Sequence, residues 1–384
     1  MKKICIFILA LFLTASYASA QQNISFVYIN GSNNNDSKSA NWFEKGIKSF
    51  HKVIREKFLT NETIKKQCQA DNTQINIKEE PVIFFWGYQS KKDLDFLKDK
   101  IALSRAVSSS GAYFARNLIT QYMHDAIWVQ KTQHMIPILE QLNETVKKEA
   151  EEGNSVVLYG YSAGTFITYE YLFRHLRYIN LEKFFKNYLA DEEFIKFVRK
   201  NPRENTCLAA LLENHSNIGT VSQTGKFILN PNTQQLKENY LKINQYTNMV
   251  CAPNNKVVGV VNYASPLPLF YSNIADDDYD QNYASTEMIK YIFENGIFFL
   301  TVNFREDPLG IPTSNNLKIG EIKTILNTDL KNPEGLIYDN SGVWSKRPFP
   351  VAHTSYWSAK NTFAKAIVDT FVNGYKFQYD IKNK

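Results

Sequence analysis

The chain has 384 residues, 44% of them hydrophobic and 21% charged, which excludes a disordered or low-complexity protein. Its formal charge of +6 is small for this length and spread along the chain, which argues against a nucleic-acid partner. The 26 Phe and 22 Tyr permit a large core, in one domain or a domain carrying an insertion.

Residues 1–20 read as a secretory signal. Lys2 and Lys3 precede an apolar run, Ile4 to Leu13, too short to span a bilayer, and Ala18-Ser19-Ala20 supplies a small-x-small cleavage pattern. The mature chain is expected to begin at Gln21, and losing two lysines takes the charge from +6 to +4. No Cys stands at the cleavage point and no later run is long and apolar enough for a transmembrane helix. The expectation is therefore a water-soluble periplasmic or secreted protein. Export permits a disulfide among Cys68, Cys207 and Cys251. Cys207–Cys251 is the preferred pair because it staples an insertion, and three unpaired thiols are the alternative. No Cys/His spacing suggests zinc.

Ile24 to Ile29 (ISFVYI) reads as a buried strand ending at the turn Asn30-Gly31-Ser32. Phe43, Ile47, Phe50, Ile54 and Phe58 then predict an amphipathic helix over about 39–59. A second strand is expected at Val82 to Tyr88, followed by a long helical region closing with Ile136, Leu139, Leu142 and Val146 on one face. The strand Ser155 to Tyr159 runs into Gly160-Tyr161-Ser162-Ala163-Gly164 and a helix from Thr165 to Leu176. Further strands are expected at Val257 to Tyr263, Ile297 to Val302 and near Leu336 to Tyr338, with a last helix from Ser355 to Phe371. This alternation predicts an α/β protein, a mostly parallel sheet flanked by helices. Residues 178–254 break the rhythm with stripes such as Leu181, Phe184, Phe185 and Tyr188. They are read as a helical cap inserted into a core of 21–177 and 255–384.

Ser162 is the candidate nucleophile. Gly160 and Gly164 allow the sharp strand-to-helix turn that exposes a serine at a sheet's carboxy edge. A serine hydroxyl needs a base oriented by an acid. Of the six His, His353 alone follows the candidate acid, in a loop just before a helix. The acid is placed at Asp307, in Glu306-Asp307-Pro308 after a strand, with Glu306 the adjacent rival. An oxyanion hole is expected from Ala163 with Gly31 or Ser32, although Asn30-Gly31 is equally well a plain turn. Asp276-Asp277-Asp278-Tyr279-Asp280 reads as a solvated acidic loop, with calcium binding the sharper alternative.

Together, the Asn-Gly turn, the Gly-Tyr-Ser-Ala-Gly elbow, the Asp-Pro loop and His353-Thr354-Ser355-Tyr356-Trp357 resemble lipase- and esterase-like members of the α/β-hydrolase superfamily. The resemblance covers most of the chain outside 178–254. It implies a Ser162–Asp307–His353 triad hydrolysing an ester or thioester without a cofactor. The chain lacks the His before the serine found in many lipases, which widens the substrate class. An apolar cap suits a lipid-like or otherwise hydrophobic small-molecule ester. The same residues would serve an acyltransferase or a peptidase, and the fold would also suit a catalytically inert secreted binding protein.

Overall fold

The computed structural model describes residues 20–32, 37–103, 109–177, 219–221, 227–229, 256–274, 291–292, 295–313, 337–348 and 351–373. It divides into two units. Met1–Trp128, Thr145–Thr168 and Asn255–Lys384 form one, and Val129–Glu144 with Tyr169–Asn254 form the other.

The first unit is built on a seven-stranded sheet: β1 (Ala20–Ile29), β2 (Thr73–Ile77), β3 (Val82–Phe84), β4 (Ser155–Tyr161), β7 (Val257–Tyr263), β8 (Phe298–Phe304) and β9 (Ile337–Val343). All its pairings are parallel, in the order β2-β1-β4-β7-β8-β9, and β3 also pairs with β1. β2 lies beside Ala20 to Ile24 of β1, and β3 beside Val27 to Ile29, so the two share one edge in tandem. The expected α/β architecture is present, but this strand order differs from the usual α/β-hydrolase order.

A parallel sheet covered on both faces needs strands that are apolar on both sides. β7 is buried at all seven positions, and β4 and β8 at all but the first. On one face lie α1 (Ser37–Thr60) and α8 (Lys360–Asn373). α1 buries Phe43, Ile47, Phe50 and Ile54 at intervals of three and four, and Phe50 stacks on Phe363 of α8 at 5.0 Å. α6 (Gly164–Arg177) opens directly after β4, where Thr168 Oγ1 donates to Asn262 Oδ1 of β7 (2.9 Å). The remaining described helices are α2 (Glu62–Ala70), α3 (Lys91–Leu103), α4 (Ser110–Trp128), α5 (Thr132–Glu151) and α7 (Leu267–Ile274). None is long and apolar enough to cross a membrane among the described residues.

In the second unit, Met135, Ile138 and Leu142 of α5 are buried, and Tyr171 Oη donates to Asn143 Oδ1 (2.8 Å). The apolar stripe of α5 therefore runs through Ile138 rather than the expected Leu139. Two strands, β5 (Gly219–Val221) and β6 (Phe227–Leu229), pair antiparallel. Within 178–254 the described residues are those of this strand pair. The helical stripes expected there, the acidic run 276–280 and both Cys207 and Cys251 lie outside the described residues.

Two other expectations are corrected. The strand predicted over Val82 to Tyr88 stops at Phe84, and Gly87–Ser90 forms a 3-10 turn. The final helix starts at Lys360 instead of Ser355, because a 3-10 turn at Val351–Thr354 and further turns precede it. α2 and β2 gave no clear signal. α2 is capped by Asn61, whose Oδ1 accepts from the N–H of Thr63 and Ile64, and β2 is a partly exposed edge strand.

Candidate active site

The carboxy ends of β1, β4, β7, β8 and β9 lie side by side, the usual place for a site in a parallel α/β sheet. β4 ends at Tyr161, and Ser162 turns the chain into α6 with φ of 51°, a left-handed conformation that a non-glycine residue rarely adopts. The neighbours hold that conformation. Ser162 N–H donates to Tyr263 O (3.0 Å), and its own carbonyl accepts from Thr165 N–H (2.9 Å) and Thr165 Oγ1 (2.7 Å). At Gly164, a Cβ would fall 2.6 Å from Asn30 O and 2.7 Å from Ile29 O, so only glycine lets α6 begin this close to β1.

His353 reaches Ser162 from the 3-10 turn after β9. Its Nε2 lies 3.1 Å from Ser162 Oγ, and its Nδ1 lies 2.9 Å and 3.1 Å from the two carboxylate oxygens of Asp307. A carboxylate only accepts, so Nδ1 carries the ring proton and Nε2 offers a lone pair to the serine hydroxyl. Tyr161 fixes the backbone of this turn by donating its hydroxyl to His353 O (3.0 Å), and its ring stacks with the imidazole at 5.6 Å.

Asp307 is anchored by two further donors. Leu309 N–H meets Oδ1 at 2.9 Å, and Tyr356 Oη meets Oδ2 at 2.9 Å. Tyr356 Oη in turn accepts from Phe304 N–H (2.9 Å). Burial, and then the Asp307 charge, push the Tyr356 hydroxyl well above its ordinary pKa, so it stays a donor. Glu306, the rival acid, is turned elsewhere: its Oε2 accepts from Ser345 N–H (3.0 Å) and Ser345 Oγ (2.9 Å). Ser162, Asp307 and His353 are each less than 9% exposed, so water screens this relay little.

Of the residues expected at the oxyanion, Ala163 follows Ser162 directly and is buried, while Gly31 closes against the serine. A Cβ on Gly31 would stand 2.8 Å from Ser162 Cβ and 3.0 Å from Tyr161 O. Ser32 follows in the turn and is half-buried. The fully buried Asn30 holds this loop: its Oδ1 accepts from Trp86 N–H (3.0 Å) and its carbonyl from Trp86 Nε1 (2.6 Å). Asn303 does the same for the neighbouring loops, accepting from Ser265 N–H (3.0 Å) and donating to Ile311 O (3.2 Å) and Ser341 Oγ (3.0 Å).

The roles of Tyr356, Asn30 and Asn303 were not foreseen. Tyr356 and Asn30 stood inside motifs already singled out, but nothing in the order of residues says which backbone each side chain reaches. The chain matches no known protein family, no curated protein and no solved structure.

Proposed function

We propose that the chain is an exported serine hydrolase, a variant of the α/β-hydrolase plan, that cleaves carboxylic esters through an acyl-enzyme. The observation that carries this reading is the continuous hydrogen-bonded series from Ser162 Oγ through His353 to Asp307, set on a serine held at positive φ. Ser162 Oγ attacks the ester carbonyl as its proton passes to His353 Nε2, and the imidazolium that forms is stabilised by Asp307. The oxyanion is taken up by the backbone N–H of Ala163 and a second donor from the Gly31–Ser32 turn. Collapse breaks the ester C–O bond, and His353 returns the proton to the departing alcohol. A water, deprotonated by His353, then attacks the acyl carbonyl and releases the acid with Ser162 restored. The arrangement needs no metal or cofactor to complete this cycle.

Labelling of the purified protein by a fluorophosphonate, beside Ser162→Ala and His353→Ala, tests the reading. Wild-type labelling that vanishes in Ser162→Ala and falls sharply in His353→Ala supports it. No labelling, or equal labelling without Ser162, removes it. Turnover of p-nitrophenyl esters with and without an added alcohol then separates hydrolysis from acyl transfer, according to which acceptor takes the acyl group.

A further inference from the structure

β3 has three residues and pairs with Val27 to Ile29 of β1, the stretch that runs straight into the Asn30-Gly31-Ser32 turn. Its register sets Phe84 beside Ile29, which brings Trp86, two residues on, against Asn30. Both residues are fully buried, and every polar group of Asn30 is used. Its N–H donates to Phe84 O (3.3 Å) and its carbonyl accepts from Trp86 Nε1 (2.6 Å). Its Oδ1 accepts from Trp86 N–H (3.0 Å), and its Nδ2 donates to Gly31 O (3.0 Å). Trp86 is held in turn, because the 3-10 turn it opens is tied through the Ser90 hydroxyl to the buried Asp125 Oδ1 of α4 (2.6 Å).

Two of these bonds grip the carbonyls on either side of the Gly31 α-carbon. In a trans peptide the carbonyl and the N–H that follows it point in opposite directions. Holding Asn30 O therefore directs Gly31 N–H, and holding Gly31 O directs Ser32 N–H. These are the backbone donors of the turn that closes on Ser162, where a Cβ on Gly31 would stand 2.8 Å from Ser162 Cβ. An oxyanion hole works through donors fixed before charge develops. Glycine, the most permissive residue, cannot fix them by itself. An ordinary surface turn leaves its carbonyls to water. Here a buried amide and a buried indole take them instead.

We infer that Asn30, gripped by Trp86, is the positioning residue of the oxyanion hole: it aims the donor of the Gly31–Ser32 turn and touches no substrate atom itself. The inference rests on the hydrolase reading above and adds to it the part played by β3, a strand placed where it carries Trp86 to the turn.

Asn30→Ala in the full-length protein tests this with p-nitrophenyl acetate. Removing one oxyanion donor outright costs about 100- to 1,000-fold in kcat. Loosening its aim should cost about 10- to 100-fold in kcat, with KM changed less than about threefold, because the carbonyl oxygen carries its charge only in the transition state. The Ki of phenylboronic acid, whose tetrahedral adduct with Ser162 places an oxygen in the hole, should rise about 10- to 100-fold as well. Combining Asn30→Ala with Gly31→Ala should cost less than about threefold beyond the more damaged single variant, since both act on one turn. Tyr28→Phe, which gives up a buried hydrogen bond to His51 on the same strand, should keep the wild-type kcat. Trp86→Phe removes the indole donor and keeps the backbone one. It should lower kcat about tenfold at unchanged KM, and it carries the test if Asn30→Ala does not fold.

A wild type that neither turns over the ester nor reacts with a fluorophosphonate removes the hydrolase reading, and this inference with it. In an active wild type, three results overturn the inference and leave the triad standing. They are unchanged kcat in the folded variant, a change confined to KM, and losses that multiply when Asn30→Ala and Gly31→Ala are combined.

Discussion

Replacing Asp307 with Asn exchanges one carboxylate oxygen for an NH2 group of nearly the same size, so its effect follows from hydrogen-bond direction and charge rather than shape. Asp307 Oδ1 accepts from Leu309 N–H and Oδ2 accepts from Tyr356 Oη, while His353 Nδ1 lies within 3.1 Å of both oxygens. In the Asn variant the carbonyl oxygen stays at the Oδ1 position, because the Leu309 N–H has no other role than donor. The amide NH2 then occupies the Oδ2 position, 3.1 Å from His353 Nδ1, and competes with the Oδ1 carbonyl at 2.9 Å for that nitrogen. The tautomer that accepts at Nδ1 gains a donor and presents Nε2–H to Ser162 Oγ instead of a base, and in the other tautomer a neutral amide no longer stabilises the imidazolium. The expected loss in kcat/KM is about 10,000-fold, the size of a wrong-tautomer defect in a serine triad. This corresponds to about 5 kcal/mol of transition-state stabilisation. Tyr356→Phe serves as the comparison: it removes one donor to Asp307 but preserves the tautomer, and should cost only about tenfold. The assay is kcat/KM on p-nitrophenyl acetate at pH 7.5, with the thermal midpoint of each variant measured beside it. A folded Asp307→Asn enzyme that loses less than tenfold, or no more than Tyr356→Phe, refutes the tautomer argument and the acid role of Asp307 with it.

Two further predictions probe the loop beside the serine and the core. Gly31→Ala places a methyl group 2.8 Å from Ser162 Cβ and 3.0 Å from Tyr161 O, where backbone must yield. Turnover should fall about 100-fold, as when one oxyanion donor is displaced, with a far smaller change in thermal midpoint; unchanged kcat would show that the Gly31 turn is not part of the site. His51 is buried in the core, its Nε2–H donating to Lys78 O (2.9 Å) and its Nδ1 accepting from Tyr28 Oη (2.9 Å). Burial lowers its pKa below the ordinary 6.5, partly opposed by the bond to Lys78 O, so between the folded and unfolded pKa values the unfolded chain binds the extra proton. Its contribution to stability is in place above pH 6.5 and is lost as pH falls toward the depressed folded pKa. The urea midpoint should therefore drop more steeply from pH 7.5 to 5.5 in wild type than in His51→Gln; identical slopes would contradict this linkage.

Much of this protein was legible in one dimension because the signals are local. An unbroken apolar run is what a strand buried on both faces requires, so β4, β7 and β8 were placed within about two residues. The interval of three and four residues in Phe43, Ile47, Phe50 and Ile54 fixed the buried face of α1 for the same reason. Glycine on either side of Ser162 announced a strained turn because few other residues permit one. The sequence placed the candidate acid at Asp307 with Glu306 as the adjacent rival, but could not show which carboxylate reaches His353. That choice fell to tertiary contacts: Ser345 holds Glu306, while Tyr356, Leu309 and His353 converge on Asp307 across β8 and the turn after β9. Strand order was likewise undetermined, since β2 and β3 sharing one edge of β1 depends on pairing between distant segments.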